Sequence, residues 1–122
     1  MIPLRTWGKH LMIDAAGAAA HTIRNPSNIH DFNKALVKRI DMVAFGEPII
    51  EHLLPGDPKQ GYSLMQLITT SNICAHFMDL DGTAYFDIFS CKEYDIDLAQ
   101  KIVQEYFAPE KMRVNFITRH AD

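Results

Sequence analysis

The sequence has little cysteine, no long apolar run and no excess of positive charge. Its 122 residues contain two cysteines, Cys74 and Cys91, without a CxxC pair, which favours a reduced compartment and hence the cytoplasm. No apolar run approaches the roughly 20 residues that a membrane helix needs, and the first residues lack the apolar core of a secretory signal. A net charge of −3 is not the basic surface typical of nucleic-acid binding. We expect a cytoplasmic protein without membrane or nucleic-acid partners.

Motifs for metals and phosphates are also missing. The six histidines are scattered, with no HxH or HExxH arrangement, so the sequence predicts no metal site. There is neither a glycine-rich phosphate loop nor a GxSxG nucleophile elbow.

Apolar spacing predicts two helices. Ser27 after Pro26 is typical of an N-cap, and apolar residues at steps of three and four predict one helical face that ends before Gly46 and Pro48. That face consists of Ile29, Phe32, Leu36, Ile40 and Val43. A second helix is predicted to begin at Asp95 or Asp97 and to end at Pro109. The small-residue stretch before His21 is compatible with either a helix or a turn.

The remaining apolar segments predict strands. Asp81-Gly82 is a strong hairpin signal between two of them. The predicted strands are Lys9–Asp14, Pro48–Leu54, Gly61–Thr70, Asn72–Leu80, Thr83–Cys91 and Met112–Thr118. The order is strand, helix, a meander of about four strands, helix, strand. We therefore predict one α+β domain over residues 1–122, a two-layer sandwich whose mainly antiparallel sheet carries two helices on one face.

Single residues give weak functional signals. A lone strand cysteine such as Cys91 is typically a buried small hydrophobe. His76 alone would be interpreted as a hydrogen-bonded core histidine, and Ser63 and Ser71 as turn or edge residues. Cys74 and His76, two apart on a strand, are predicted to point to one face.

Four short motifs in register carry more information than these residues singly. They are Gly8–Asp14 (GKHLMID), Gln60–Ser63 (QGYS), Thr70–His76 (TSNICAH) and Asp87–Cys91 (DIFSC). Together they resemble the bacterial S-adenosylmethionine decarboxylase family, which reads GKHLxxD, QGxS, ESHxSxH and DxFTC in the same order with matching intervals. The similarity covers nearly the whole chain from Gly8 onward.

The resemblance implies a proenzyme that cuts itself. The hydroxyl of Ser71 would attack the carbonyl of Thr70, and elimination would break the Thr70–Ser71 bond and leave a pyruvoyl group. His76 matches the family's processing histidine, and imidazole suits a base because its pKa is close to neutral. Ser63 matches a serine that assists processing.

The resemblance also implies the reaction. The pyruvoyl ketone would form a Schiff base with the substrate amine and accept the electrons left when CO2 departs. Cys91 matches the family's acid, and a thiol of ordinary pKa, about 8.5, is protonated at neutral pH and can donate. The substrate would be S-adenosylmethionine, and its product would supply aminopropyl groups for spermidine, in polyamine biosynthesis.

The sequence departs from the family pattern in two places. Around the cleavage point, Thr70, Asn72 and Cys74 replace glutamate, histidine and serine. After His76, the chain has Phe77–Leu80 (FMDL) where the family has a TWPE-like stretch. If the missing glutamate contacts substrate, Asp79 or Asp81 is the candidate replacement.

Two other functions therefore remain open. The chain could use the pyruvoyl group on another amino acid, or it could be an unprocessed homologue that serves as a binding or regulatory module.

A homodimer with catalytic groups near the subunit interface is the final expectation, implied by the resemblance. Independently of the resemblance, apolar residues occupy both the even and the odd positions of Thr83–Cys91 and are therefore expected on both faces of the sheet. One helical layer covers only one of these faces. A second copy packed sheet on sheet would cover the other face with two-fold symmetry.

Overall fold

The computed structural model describes residues 6–121. Residues 1–5, at the start of the segment that was compared with a secretory signal, lie outside it. Within that range the strands are β1 Gly8–Ala16, β2 Ile49–Leu53, β3 Gly61–Ile68, β4 Ser71–Phe77, β5 Ala84–Ser90 and β6 Lys111–Arg119. The helices are α1 Ala20–Ile23, α2 Pro26–Arg39 and α3 Ile96–Phe107. Among residues 6–121, none of the helices has the length and hydrophobicity that a membrane span requires.

The six strands form one sheet in the order β2-β3-β4-β5-β1-β6, and every neighbouring pair is antiparallel. The predicted α+β fold is confirmed, and the predicted meander corresponds to β2 through β5. The two predicted long helices are α2 and α3. The small-residue stretch adds a third, the one-turn helix α1.

The sheet has two different faces. In β5, Phe86 and Ile88 are buried in the core with residues of α2 and α3, whereas the alternate residues Tyr85 and Phe89 point to the other side. We call the covered side the helix face and the other side the open face. By strand register the open face comprises Ile49, Glu51, Leu53, Ser63, Met65, Leu67, Asn72, Cys74, His76, Tyr85, Asp87, Phe89, His10, Met12, Asp14, Arg113, Asn115 and Ile117.

The N-cap of α2 is Asn25, so the prediction of Ser27 is wrong. The side chain of Asn25 accepts hydrogen bonds from the backbone N–H groups of Ser27 and Asn28. Pro26 occupies the first helical turn, where its missing N–H is not needed. Ser27 therefore lies inside the helix.

The helix α2 also ends earlier than predicted, at Arg39 rather than before Gly46. Asp41 has a positive φ of 61°, which a right-handed helix does not accommodate. The segment then runs beside β3, because the Phe45 N–H donates to Leu67 O at 2.8 Å and the Thr69 N–H donates to Val43 O at 2.9 Å. Val43, predicted on the buried helical face, is 61% exposed.

The second predicted helix agrees with the structure in its caps. The side chain of Asp95 accepts from the Leu98 N–H at 3.0 Å, which identifies Asp95 as the N-cap. Ala108 follows the helix in the left-handed conformation, and Pro109 comes next. Ala99, Ile102, Val103 and Phe107 bury the apolar side of this helix.

An aromatic cluster joins both long helices to the sheet. The ring of Phe107 lies 4.9 Å from Phe32, 5.0 Å from Phe77 and 5.6 Å from Phe86, measured between centroids. Phe32, Phe77 and Phe107 are fully buried. The cluster therefore holds α2, α3, β4 and β5 in a fixed arrangement.

Phe107→Ala is expected to destabilise the fold by about 3–5 kcal/mol, because it removes a buried ring and leaves a cavity. Urea unfolding measures the loss. The matched control is Phe45→Ala, since Phe45 is 67% exposed, and it is expected to cost about 0.5 kcal/mol or less. Equal losses in the two variants would contradict this assignment of the core.

Candidate functional site

Ser71 is the first residue of β4 and follows the tight turn at Thr69 and Thr70. It pairs with Ile68 on one side and Ser90 on the other. Its φ of +152° lies in a region that residues with a side chain rarely adopt. Such backbone conformations cost about 1–3 kcal/mol, so the predicted cleavage point is locally strained.

The carbonyl of Thr70 has a defined hydrogen-bond donor. The backbone N–H of Cys91 donates to Thr70 O at 2.9 Å. A donor in this position stabilises negative charge that develops on the oxygen when a nucleophile attacks the carbonyl carbon. Cys91 lies immediately after β5 and is exposed, so its interpretation as a buried hydrophobe is wrong.

The side chain of Thr70 fixes the turn from the helix-face side. Ser90 Oγ donates to Thr70 Oγ1 at 2.8 Å, and Thr70 Oγ1 donates to Met42 Sδ at 3.4 Å. The Lys92 N–H donates to Ser90 Oγ at 3.0 Å. These contacts tie the turn at Thr69 and Thr70 to the segment that carries Cys91, a link that no sequence pattern indicated.

Ser63 and His76 form a second pair. They face each other across β3 and β4, and Ser63 Oγ lies 2.9 Å from His76 Nδ1. His76 is exposed on the open face, so its interpretation as a core histidine is also wrong. The bond holds the ring in place and leaves Nε2 available for proton transfer.

The two pairs lie at opposite ends of the same strand. Ser71 begins β4 beside Cys91, whereas His76 lies five residues further on. At about 3.3 Å per residue, this separation is about 16 Å. Within one chain the structure therefore brings together Ser71 with Cys91 and Ser63 with His76, but it does not bring the imidazole to the Thr70–Ser71 bond.

Cys74 lies on the open face between these ends, on the same side as His76, as predicted. Its strand neighbours are Met65 and Asp87. Partial burial, with a smaller contribution from the Asp87 carboxylate, raises the pKa of the Cys74 thiol. A thiol in this environment stays protonated at neutral pH and is a poor nucleophile.

Both aspartates proposed to replace the family's glutamate accept hydrogen bonds from nearby side chains or backbone. Asp79 is buried, and its Oδ2 lies 2.7 Å from His52 Nε2. Asp81 instead caps its own turn by accepting from the Thr83 N–H. Leu80, between them, is 62% exposed. The carboxylates of this segment are used in local structure.

A hollow of about 270 Å³ opens on the same sheet face close to Ser71. Its lining is largely apolar and includes Asn72, the residue that follows Ser71. The other lining residues are Phe45, Glu47, Ile49, Met65, Gln66, Leu67 and Cys74. Phe45, an exposed aromatic residue beside a glycine, was not singled out from the sequence. In residues 6–121 no group of three or more His, Cys, Asp or Glu side chains is arranged to hold a metal ion.

The same fold occurs in a solved enzyme structure. The crystal structure of the adenosylmethionine decarboxylase from Aquifex aeolicus superposes with a TM-score of 0.81 at 20% identity, over 97% of this chain and 94% of that one. A comparison with curated proteins finds no match. At 20% identity the structural likeness establishes the fold alone, a two-layer α+β domain.

The family follows from the sequence. A family model described as S-adenosylmethionine decarboxylase matches residues 9–120. The chain therefore belongs to the S-adenosylmethionine decarboxylase family.

Proposed function

We propose that this chain decarboxylates S-adenosylmethionine with a pyruvoyl group made from its own Ser71. The observation that carries the proposal is the geometry of the Thr70–Ser71 bond, with φ of +152° at Ser71 and the Thr70 carbonyl held by the Cys91 N–H. Strain at a peptide bond and a donor at its oxygen both favour attack on that bond. The residues present therefore fit a self-derived pyruvoyl group.

Self-cleavage needs only groups of the protein and water. Ser71 Oγ bonds to the Thr70 carbonyl carbon, the C–N bond breaks, and the amide becomes an ester with a free amino group on Ser71. A base then removes the α-proton of Ser71, a Cα–Cβ double bond forms as the Cβ–Oγ bond breaks, and Thr70 is left as a carboxylate. The enamine at residue 71 tautomerises to an imine. Water finally replaces the nitrogen, which leaves as ammonia, and the new chain end is a pyruvoyl group.

Once formed, the ketone of this group supplies an electron sink for decarboxylation. Cys91 supplies the proton that the α-carbon needs after CO2 leaves. Support for this role comes from the exposure of Cys91 and from the hydrogen bond that its backbone N–H donates to Thr70 O, next to the bond proposed to be cut. The product would provide aminopropyl groups for spermidine.

The base is supplied by a second copy of the chain in this proposal. His76 is about 16 Å from Ser71 along β4, so the imidazole of the same chain does not reach the α-proton. Suppose that two open faces pack about 10 Å apart and are related by a two-fold axis that lies between them, perpendicular to the strands. The two copies of β4 then run in opposite directions. The end of β4 that carries Ser71 in one chain therefore lies over the end that carries His76 in the other. Ser63 then orients the partner's imidazole.

The exposed apolar residues of the open face support this packing. Ile49, Met65 and Leu67 are between 57% and 60% exposed and are neighbours on β2 and β3. Apolar patches of this kind mark association surfaces in soluble proteins. A homodimer is the simplest arrangement that covers them and completes both sites.

A different amino-acid substrate is the second candidate, and one observation favours it. Leu80 stands where the family pattern has glutamate, and Asp79 and Asp81 are occupied by His52 and Thr83. A substrate without the adenosyl group would not need that carboxylate. The deciding experiment is CO2 release from S-adenosylmethionine and from each of the common amino acids. We expect S-adenosylmethionine to be the preferred substrate. Preference for a free amino acid would instead identify the chain as an amino-acid decarboxylase.

Cys91→Ala is expected to cleave itself normally but to lose about 10²–10⁴-fold in decarboxylation rate, because only the proton donor is removed. Processing is followed by gel electrophoresis and turnover by CO2 release. Cys74→Ser is the matched control and should retain both properties, since the family pattern has serine at that position. Near-normal turnover of Cys91→Ala would exclude this cysteine as the acid.

A further inference from the structure

Thr70 is held at two points by residues at the end of β5. Its carbonyl oxygen accepts from the Cys91 N–H at 2.9 Å, and its hydroxyl accepts from the hydroxyl of Ser90 at 2.8 Å. The two donors belong to consecutive residues, and both acceptors belong to one residue. Because the side chain is fixed as well as the carbonyl, the orientation of the Thr70 carbonyl depends on the Thr70 hydroxyl.

The hydrogen bonds of these two hydroxyls run in one direction. The Lys92 N–H can only donate, and it donates to Ser90 Oγ at 3.0 Å. The Met42 sulfur can only accept, and Thr70 Oγ1 donates to it at 3.4 Å. With both ends fixed, the proton between the hydroxyls belongs to Ser90. Each hydroxyl accepts one bond and donates one, and bonds in such a series strengthen one another where the dielectric is low.

This series of bonds lies on the helix face, away from the open face. Ser90 is fully buried and Met42 is 7% exposed, so a substrate on the open face does not reach either side chain. The segment that carries Met42 is joined to the end of β5 by a further contact, because Lys92 Nζ donates to Asp41 Oδ2 at 3.0 Å. The Thr70 hydroxyl therefore bonds to two segments that are held together independently of it.

The strain at Ser71 follows from these constraints. Strained backbone persists only where the surrounding structure imposes it. Sheet pairing with Ile68 and Ser90 fixes Ser71 on one side of its φ bond, and the bonds to Thr70 fix the other side. The φ of +152° lies between the two. Release of Thr70 would let this angle relax.

We propose that the hydroxyls of Thr70 and Ser90 are positioning groups for self-cleavage. Their hydrogen bond holds the Thr70 carbonyl against the Cys91 N–H and maintains the strain at Ser71. Both act through the Thr70 backbone and take no part in bond making. The family pattern has glutamate at position 70, so the threonine hydroxyl is a feature of this chain rather than of that pattern. This inference rests on the proposed self-cleavage.

The rate of cleavage is the first test, measured by gel electrophoresis on chains made by cell-free synthesis. Thr70→Val keeps the branched side chain without the hydroxyl and should slow cleavage by about 10–100-fold, because the carbonyl is misplaced. Thr70→Ser keeps the hydroxyl and should cleave at nearly the wild-type rate. Ser90→Ala should also be slow, and the double variant should be no slower than the slower single one, since both remove the same bond. Thr118→Val is the matched control, on the exposed strand β6.

Chains that cannot cleave separate positioning from a purely structural role. The fold is expected to persist in Thr70→Val, because Ser90 Oγ keeps Met42 Sδ as an acceptor at 3.7 Å. In a Ser71→Ala background, Thr70→Val should speed hydrogen exchange of the Cys91 amide. Ser71→Gly should exceed Ser71→Ala in urea unfolding by less when Thr70→Val is present, since less strain remains for glycine to relieve. A purely structural hydroxyl would leave that difference unchanged.

The outcomes distinguish this inference from self-cleavage itself. Equal cleavage rates of wild type and Thr70→Val would overturn the inference and leave self-cleavage standing. An equal difference between Ser71→Gly and Ser71→Ala with and without Thr70→Val would overturn it too. A wild type that does not cleave would contradict self-cleavage. A reduced glycine–alanine difference beside that result would show that the chemistry fails although the Thr70–Ser90 bond holds the turn.

Discussion

The Ser71→Ala protein is expected to remain one continuous chain and to release no CO2 from S-adenosylmethionine above background. Without the hydroxyl there is no nucleophile for the Thr70 carbonyl, and without cleavage there is no pyruvoyl group. Alanine has the same Cβ as serine, so the fold itself should be unchanged. Gel electrophoresis and CO2 release measure the two losses, with Ser27→Ala as a matched control that keeps both properties.

The stability of Ser71→Gly relative to Ser71→Ala measures the backbone strain at Ser71. Glycine adopts positive φ without steric cost, whereas alanine does not, and both variants lack the nucleophile. Ser71→Gly should therefore be more stable than Ser71→Ala by about 1 kcal/mol in urea unfolding. Equal stability would mean that the +152° conformation stores no energy for processing.

The second large effect is expected when two inactive variants are mixed. His76→Ala should process at least about 100-fold more slowly, because it lacks the base, and Ser71→Ala does not process at all. If the site combines Ser71 of one protomer with His76 of its partner, a mixed dimer contains one complete site. Co-expression with different tags should yield about half mixed dimers, in which only the His76→Ala chain is cut and decarboxylation returns.

The two homodimers are the controls for this experiment. Cleavage of neither chain in a purified mixed dimer would exclude the partner's imidazole as the base. Monomers in sedimentation at micromolar concentration would exclude the shared site altogether.

Apolar periodicity predicted most of the helices and strands, and the wrong predictions have local causes. The alternation of Ala84, Phe86 and Ile88 with Tyr85 and Phe89 predicted β5 and its two faces correctly. The end of α2 was misplaced because Val43 continues the helical spacing. The chain leaves the helix earlier because Asp41 has positive φ and the Val43 and Phe45 backbone groups pair with the end of β3. Such pairing is a tertiary effect that local spacing does not contain.

The candidate site was predictable as a set of residues but not as an arrangement. The motifs assigned Ser63, Ser71, His76 and Cys91, and these assignments remain predictions. That they fall into two pairs at opposite ends of β4 depends on strand register, which the sequence left open. The φ of Ser71 and the hydrogen bond from Cys91 to Thr70 likewise arise from the folded turn.

Intact mass of the purified wild-type protein tests self-cleavage at Ser71 most directly. We expect two fragments, residues 1–70 ending in a free carboxylate and residues 71–122 beginning with a pyruvoyl group. The second fragment should be lighter, by one ammonia, than the same peptide with an N-terminal serine. A single mass equal to that of the uncut chain after prolonged incubation would contradict self-cleavage and leave the unprocessed homologue as the alternative.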